Sequence, residues 1–162
     1  MIKIAYLHGL DANNLGSKND WLKTFAEIYD PQINYRDKNI YQKLKSEVVD
    51  FRPDLIIGSS MGGYFAYKMA KELNIKAILF NPALHSRSME PDVSGSFDGE
   101  FRPTISVVFG AKDNLIHPKK TIIILENEGF KSLDFTVLEH GHDTPFDVFK
   151  SEISQFIISN NL

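Results

Sequence analysis

The most informative absence in this sequence is cysteine. None of the 162 residues is a cysteine. This excludes a disulfide framework, a thiolate zinc site, an iron–sulfur cluster and a cysteine nucleophile. Any covalent catalysis must therefore use another side chain.

Long apolar runs and a marked excess of one charge are also missing. No stretch approaches the roughly 18 apolar residues of a membrane span, and the segment from Met1 to Leu7 is too short for the apolar region of a signal peptide. Eighteen basic against 21 acidic residues give a formal charge of −3, with no basic tract that could follow a phosphate backbone. We therefore expect a cytoplasmic protein that binds neither nucleic acid nor a membrane.

The length allows one domain with a substantial hydrophobic core. A chain of 162 residues, 43% of them hydrophobic, can bury such a core but leaves little room for a second domain. We therefore expect a single domain over residues 1–162.

Strand-like and helix-like segments alternate along the chain. Short β-branched runs predict six strands, at residues 2–7, 33–35, 55–57, 77–80, 105–109 and 135–138. Helices are predicted at residues 21–29, 40–51, 61–73, 118–128 and 145–158, the fourth because Pro118 and Gly129 read as helix start and stop around an Ile-rich run. This alternation predicts an α/β fold, a parallel sheet with helices on both faces.

Residues 85–103 break the alternation. They are rich in serine, glycine, aspartate and proline and have no sustained hydrophobic period. A loop of this length in a compact domain is either a functional flap or a solvated, mobile connection, and the sequence leaves both readings open.

The segment Gly58-Ser59-Ser60-Met61-Gly62 is the strongest chemical signal. It has the pattern G-x-S-x-G between a predicted strand and a predicted helix, where a nucleophile at the apex of a tight turn needs small neighbours two residues away on each side. Ser60 is the predicted nucleophile, and the Met61 amide at the helix start can receive negative charge on a substrate oxygen. Two alternatives are glycines that merely let a helix pack close to a strand and a phosphate-binding turn, although the segment lacks the P-loop lysine.

A serine nucleophile requires a base and an acid that orients the base. Asp113 lies just past the predicted fifth strand, and His140 and His142 follow the last one. We favour His142 over His140 as the base because Gly141 gives the backbone freedom to present it. Thr144 is the predicted cap of the last helix, with Pro145 at its first position.

With these residues assembled, the chain resembles the α/β-hydrolase superfamily, and in particular its small capless bacterial esterase-like proteins. The order Ser60, Asp113, His142 is that of the superfamily's triad. The resemblance rests on five segments, which are Leu7-His8-Gly9, Gly58 to Gly63, Asn81-Pro82-Ala83, Gly110 to Asp113 and Gly141-His142.

The resemblance implies a three-layer fold with a six-stranded sheet in the order 2-1-3-4-5-6. It also implies hydrolysis of esters or thioesters, with the Leu10 amide as second oxyanion donor and the loop at 85–103 in place of a cap domain. His8 is expected to shape its loop and not to act as a base. The predicted substrate pocket is formed by residues that flank these turns, namely His8, Gly9, Tyr64, Leu84, Leu115, Ile116 and Phe146.

The predicted function is a serine hydrolase that cleaves carboxylic ester or thioester bonds of a small or medium acyl substrate. No cofactor is expected, although His140, His142 and Asp143 leave a metal site as an alternative. A non-catalytic binding protein with the same fold, or a peptidase or amidase with the same triad, are the other readings.

Overall fold

A parallel sheet of six strands forms the centre of the protein. The computed structural model describes residues 1–162. Its elements are β1 (Ile2–Leu7), α1 (Ser17–Lys23), β2 (Ala26–Tyr29), α2 (Ile40–Phe51), β3 (Leu55–Ser59), α3 (Met61–Leu73), β4 (Lys76–Phe80), β5 (Ile105–Gly110), α4 (Pro118–Glu126), β6 (Leu133–Leu138) and α5 (Phe146–Ser159). The strand order is β2-β1-β3-β4-β5-β6, and every neighbouring pair is parallel. The fold class and strand order predicted from the sequence are confirmed.

Two hydrophobic cores cover the two faces of the sheet. Successive residues of a strand point to opposite faces, so Ala5 and Leu7 of β1 belong to the core beneath α2 and α3, whereas Ile4 and Tyr6 belong to the core beneath α1 and α5. Both faces are thus buried, which explains the lack of polar alternation in the central strands. No helix combines the length and the apolar composition needed to cross a membrane.

The prediction for the second strand is wrong. The structure places β2 at residues 26–29, inside the segment predicted as a helix, and α1 already ends at Lys23. Ala26 and its successors pair with β1, and this tertiary pairing decides the conformation of a four-residue edge strand. In the run predicted as a strand at residues 33–35, Ile33 and Tyr35 are buried in the main core, but the backbone is an irregular loop and Asn34 is exposed.

The other elements lie within two residues of their predicted bounds. The Ile-rich run after Pro118 is helical, with the proline in the first turn as predicted. Helix α5 begins one residue later than expected: Pro145 is the cap residue and Phe146 the first helical residue. Thr144 is buried and makes no capping hydrogen bond, so the prediction that it caps α5 is wrong.

The segment between β4 and β5, residues 81–104, contains neither a helix nor a strand. Its second half lies against α2 and α3. The N–H groups of Asn39 and Ser94 donate to Asp92, at 2.7 and 2.9 Å, and these hydrogen bonds lower the pKa of Asp92 to about 2. The N–H of Phe97 donates to the buried carboxylate of Glu72 at 3.1 Å. Polar contacts with two helices therefore fix this part of the loop.

Candidate active site

Ser60 occupies a tight turn between β3 and α3. Its backbone has φ 53° and ψ −113°, an uncommon conformation for a residue with a side chain. The turn is fixed to the end of β4, because the Ser60 N–H donates to the Phe80 carbonyl at 2.9 Å and the Ser60 carbonyl accepts from the Ala83 N–H at 3.0 Å. The predicted strand, turn and helix are therefore present around the serine.

Gly58 and Gly62 make this turn possible. A Cβ atom on Gly58 would overlap the Gly62 carbonyl, and one on Gly62 would overlap the Leu7 carbonyl at the end of β1. Both collisions are with backbone atoms, which cannot rotate away. The two glycines let α3 begin directly against β1 and β3, as the sequence pattern predicts.

A continuous chain of hydrogen bonds joins Ser60, His142 and Asp113. The Ser60 Oγ lies 2.9 Å from His142 Nε2, and His142 Nδ1 lies 2.8 Å from Asp113 Oδ2. An ionised carboxylate only accepts hydrogen bonds, so the imidazole proton is on Nδ1 and Nε2 can accept from the serine hydroxyl. The serine proton can therefore pass to Nε2 while the aspartate holds the tautomer.

Asp113 is held in place by its own loop. Its side chain is completely buried, and its second oxygen accepts from the N–H groups of Leu115 and Ile116, at 2.8 and 2.9 Å. A buried carboxylate needs such donors. With the imidazole it has three, which fixes its orientation towards His142.

The neighbouring histidine takes no part in this chain. His140 is buried, and its Nδ1 lies 2.9 Å from the carbonyl of Gly141. His142, and not His140, lies beside Ser60, although Gly141 between them does not use a left-handed conformation. No group of three or more histidine, aspartate or glutamate side chains has the arrangement of a metal site.

Asn81 connects the parts of this site, and the sequence did not indicate that role. Its side-chain amide donates to the His142 carbonyl at 2.7 Å, and its Oδ1 accepts from the Gly110 N–H at the end of β5 at 2.7 Å. The residue is buried and has φ 43°, a conformation that asparagine tolerates better than most residues. The sequence marked Asn81 only as part of the segment Asn81-Pro82-Ala83 after the fourth strand, with no role for its side chain.

The two residues predicted to supply oxyanion N–H groups, Leu10 and Met61, line the same cavity as Ser60. Met61 is the first residue of α3, where N–H groups have no partner within the helix. The Leu10 N–H has no acceptor within the protein. The loop that carries Leu10 passes close to the serine, since a Cβ on Gly9 would lie 3.5 Å from the Ser60 Cβ.

His8 holds that loop. Its Nε2 accepts from the Ile33 N–H at 2.9 Å and its Nδ1 donates to the Gly9 carbonyl at 2.7 Å, while the Tyr35 hydroxyl donates to the His8 carbonyl. Burial lowers the pKa of His8. With both ring nitrogens occupied, His8 shapes the loop, in agreement with the expected role.

Two cavities meet at Ser60 and His142. The larger, of about 400 Å³, lies towards α1 and has a largely polar lining that includes His8, Gly9, Lys18, Asn19 and Asp143. Burial lowers the pKa of Lys18, an effect that Asp143 opposes. The smaller cavity, of about 200 Å³, has ten lining residues, namely Leu10, Ser60, Met61, Ala83, Ser86, Arg87, Ser88, Leu115, Ile116 and His142.

The predicted pocket residues divide into two groups. His8 and Gly9 line the larger cavity, and Leu115 and Ile116 line the smaller. Tyr64, Leu84 and Phe146 line neither. The Tyr64 ring lies against the Arg87 guanidinium and Phe146 lines a separate cleft on α5, while Leu84 packs on the main core. The lining of the two cavities therefore gives no support for these three as pocket residues.

Several solved structures that superpose on this chain are described as α/β-hydrolases, esterases or lipases. A hydrolase of this superfamily from Xanthomonas campestris superposes with a TM-score of 0.74 at 15% identity, covering 99% of this chain and 98% of the other. The monoacylglycerol lipase of Paleococcus ferrophilus gives 0.76 at 12%, covering 97% and 94%. The esterase Pf2001 of Pyrococcus furiosus gives 0.74 at 15%, covering 98% and 81%. The α/β-hydrolase fold is therefore shared at low sequence identity.

The family itself is decided by sequence. The model of the uncharacterised protein family UPF0227 matches residues 3–101. The chain belongs to the UPF0227 family. The match includes the His8 turn and the Ser60 turn, and it ends before Asp113 and His142.

UPF0227 relatives align with part of this chain. A UPF0227 protein of Enterobacter sp. (strain 638) is 32% identical in an alignment of length 108 that covers 59% of this chain and 57% of the relative. The UPF0227 protein YcfP of Escherichia coli is 34% identical in an alignment of length 94 that covers 50% of this chain and 51% of the relative. The matches thus span only about half the length of these relatives.

Proposed function

We propose that this UPF0227 protein is a serine hydrolase that cleaves carboxylic ester or thioester bonds of small or medium acyl substrates. The observation that carries the proposal is the hydrogen-bonded chain from Ser60 Oγ through His142 to the buried Asp113, with separations of 2.9 and 2.8 Å. These are the distances over which a base can take the serine proton.

In the proposed reaction Ser60 Oγ attacks the acyl carbonyl carbon while its proton moves to His142 Nε2. The carbonyl oxygen gains the negative charge and accepts hydrogen bonds from the N–H groups of Leu10 and Met61. The bond to the leaving group then breaks, and Nε2 protonates the departing alcohol or thiol. Water repeats the sequence on the acyl-serine, which releases a carboxylic acid and restores the Ser60 hydroxyl.

The two cavities suggest where each half of the substrate binds. The smaller one includes both proposed oxyanion residues, Leu10 and Met61, and the apolar side chains of Leu115 and Ile116, so we assign the acyl group to it. The larger and more polar one is left for the leaving group. The proposal thus predicts greater tolerance of varied leaving groups than of bulky acyl groups.

A fluorophosphonate probe tests the nucleophile. We expect wild-type protein to be labelled on Ser60 and the Ser60→Ala variant to stay unlabelled. Ser59→Ala is the matched control, because the adjacent serine has no imidazole partner, and it should still be labelled. Folded wild-type protein that resists labelling would overturn the proposal and favour a binding protein with a hydrolase fold.

A substrate panel tests the bond type. Esters, thioesters and amides of graded acyl length should be compared in wild-type protein and in Asp113→Asn, where the wrong imidazole tautomer is expected to lower kcat about 10³- to 10⁴-fold. Asp147→Asn, which removes an exposed carboxylate on α5, is the control. A preference for amides would replace the esterase proposal by a peptidase or amidase.

A further inference from the structure

Arg87 is the only formally charged side chain in the lining of the smaller cavity. The other nine lining residues are apolar, serine or His142, and none is a carboxylate. Arg87 belongs to the irregular segment after β4, which carries no sequence pattern that would predict its position. The proposed hydrolysis therefore assigns no role to this guanidinium, although it lies beside the proposed acyl site.

The hydrogen bonds of Arg87 hold the guanidinium and leave one end of it free. Nη1 donates to the carbonyls of Ala83 and Leu84, at 2.7 and 3.0 Å, and Nε donates to the Glu90 carboxylate at 3.1 Å. The guanidinium also lies over the Tyr64 ring, 4.2 Å from its centroid. These contacts use three of the five N–H bonds of an arginine.

The two N–H bonds on Nη2 have no acceptor within the protein. The side chain is only 16% exposed, whereas that of Glu90 is 70% exposed. Glu90 is thus largely hydrated and neutralises the arginine weakly. A fixed, mostly buried guanidinium with a free edge is suited to a carboxylate, since charge-assisted hydrogen bonds are the strong ones.

We propose that Arg87 selects substrates whose acyl chain ends in a carboxylate, that is, monoesters or monothioesters of short dicarboxylic acids. The inference rests on the proposed function, because it assigns the acyl group to the smaller cavity. That cavity has a volume of about 200 Å³, half that of the cavity towards α1. The acyl chain is therefore short, and its distal carboxylate binds at Nη2 while the carbonyl lies at Ser60.

Two esters of equal acyl length form the test. The 4-nitrophenyl monoester of glutaric acid ends in a carboxylate, and 4-nitrophenyl pentanoate ends in a methyl group. In Arg87→Met we expect kcat/KM for the glutarate ester to fall about tenfold and kcat/KM for the pentanoate to stay the same. The ratio of the glutarate value to the pentanoate value should therefore fall about tenfold. Arg52→Met, which removes a guanidinium from the end of α2, should leave the ratio unchanged.

Arg87→Lys and a salt series keep the inference testable if Arg87→Met does not fold. The lysine variant retains the charge and should keep part of the preference. In wild-type protein, raising NaCl from about 0.02 to about 0.5 M should lower kcat/KM for the glutarate ester more than for the pentanoate.

The outcomes separate this inference from the proposed function. Suppose that the pentanoate is hydrolysed but the ratio of kcat/KM for the two esters is the same in wild-type protein and in Arg87→Met, or does not change with salt. Either result would overturn the role of Arg87 and leave the proposed hydrolase intact. Failure of wild-type protein to cleave either ester, together with no fluorophosphonate labelling, would overturn both proposals.

Discussion

Asn81 contacts, at the same time, the loop that carries His142 and the strand that leads to Asp113. Its side chain makes two hydrogen bonds of 2.7 Å: Nδ2 donates to the His142 carbonyl, and Oδ1 accepts from the Gly110 N–H. Neither bond reaches Ser60, so Asn81 can act only as a positioning residue, by fixing the loop after β6 relative to the end of β5.

We expect Asn81→Ala to lower the free energy of unfolding by about 1–3 kcal/mol, because the buried Gly110 N–H loses its acceptor. The rate of Ser60 labelling should fall as well, since the His142 loop is no longer held. Urea unfolding and labelling kinetics measure the two effects. Asn81→Gly also lacks the side-chain amide, but glycine tolerates φ 43° without strain. Comparing the two variants therefore separates the loss of the hydrogen bonds from the effect of backbone strain. A labelling rate at the wild-type level in both variants would contradict the positioning role.

At the scale of elements, the segment between β4 and β5 is attached to α3 through charged groups. The Glu72 carboxylate is fully buried and accepts from Lys45 Nζ at 2.7 Å and from the Tyr41 hydroxyl at 2.8 Å, in addition to the Phe97 N–H. The preceding residue of α3 is Lys71, whose Nζ binds Asp98 at 2.7 Å and Glu128 at 2.8 Å. The second half of the segment therefore depends on buried charges that have complete sets of partners.

We expect Glu72→Gln to release this half of the segment. Removal of one partner from a buried charged network costs about 3–5 kcal/mol, because Lys45 loses its counter-charge. Limited proteolysis should then cut within residues 93–102 much faster than in wild-type protein. Asp98→Asn is the matched control at the exposed end of the network, where the carboxylate is 86% exposed and a much smaller change is expected. Equal proteolysis of the two variants would argue against the network.

The elements with a clear hydrophobic period could be predicted from sequence, and so could the site residues at strand ends. Strand β1 and helices α2 and α3 have the predicted bounds. Strand β2 does not, because pairing with β1 outweighs the local preference of four residues. Arg87 lines the smaller cavity, and Lys18, in the first turn of α1, lines the larger one. The irregular loops after β4 and before α1 bring them there, and such loops leave no periodic signal in the sequence.

At the scale of the whole molecule, the parallel sheet collects distant segments at one edge. Ser60 and His142 are 82 residues apart in sequence, and His142 and Asp113 are 29 apart. They meet because the carboxyl ends of parallel strands lie side by side. The site thus exists only in the complete fold, so its stability is linked to that of the whole sheet.

His8 makes that stability depend on pH. Burial lowers its pKa in the folded protein, whereas in the unfolded chain the pKa is about 6.5. As the pH falls through about 6.5, the unfolded chain binds a proton that the folded protein does not, so the free energy of unfolding decreases, by at most about 1.4 kcal/mol per pH unit. Below the folded pKa this contribution becomes constant.

We therefore expect the free energy of unfolding of His8→Gln to be lower than that of wild type at about pH 8. Between about pH 8 and about pH 5 it should decrease less steeply than in wild type. Glutamine can still accept a hydrogen bond from the Ile33 N–H, so the loop keeps that contact. Urea unfolding across this range gives both slopes. Equal slopes in the two proteins would show that the pKa of His8 does not differ between the folded and unfolded states.

The meeting of two cavities at one serine also defines an order of events in the proposed cycle. The alcohol or thiol would depart through the larger cavity while the acyl group stays bound to Ser60 in the smaller one. The vacated cavity of about 400 Å³ is then the space from which water reaches the acyl-serine. Other small nucleophiles could enter by the same route, so an added alcohol or hydroxylamine would compete with water for the acyl group and divert it from hydrolysis to transfer.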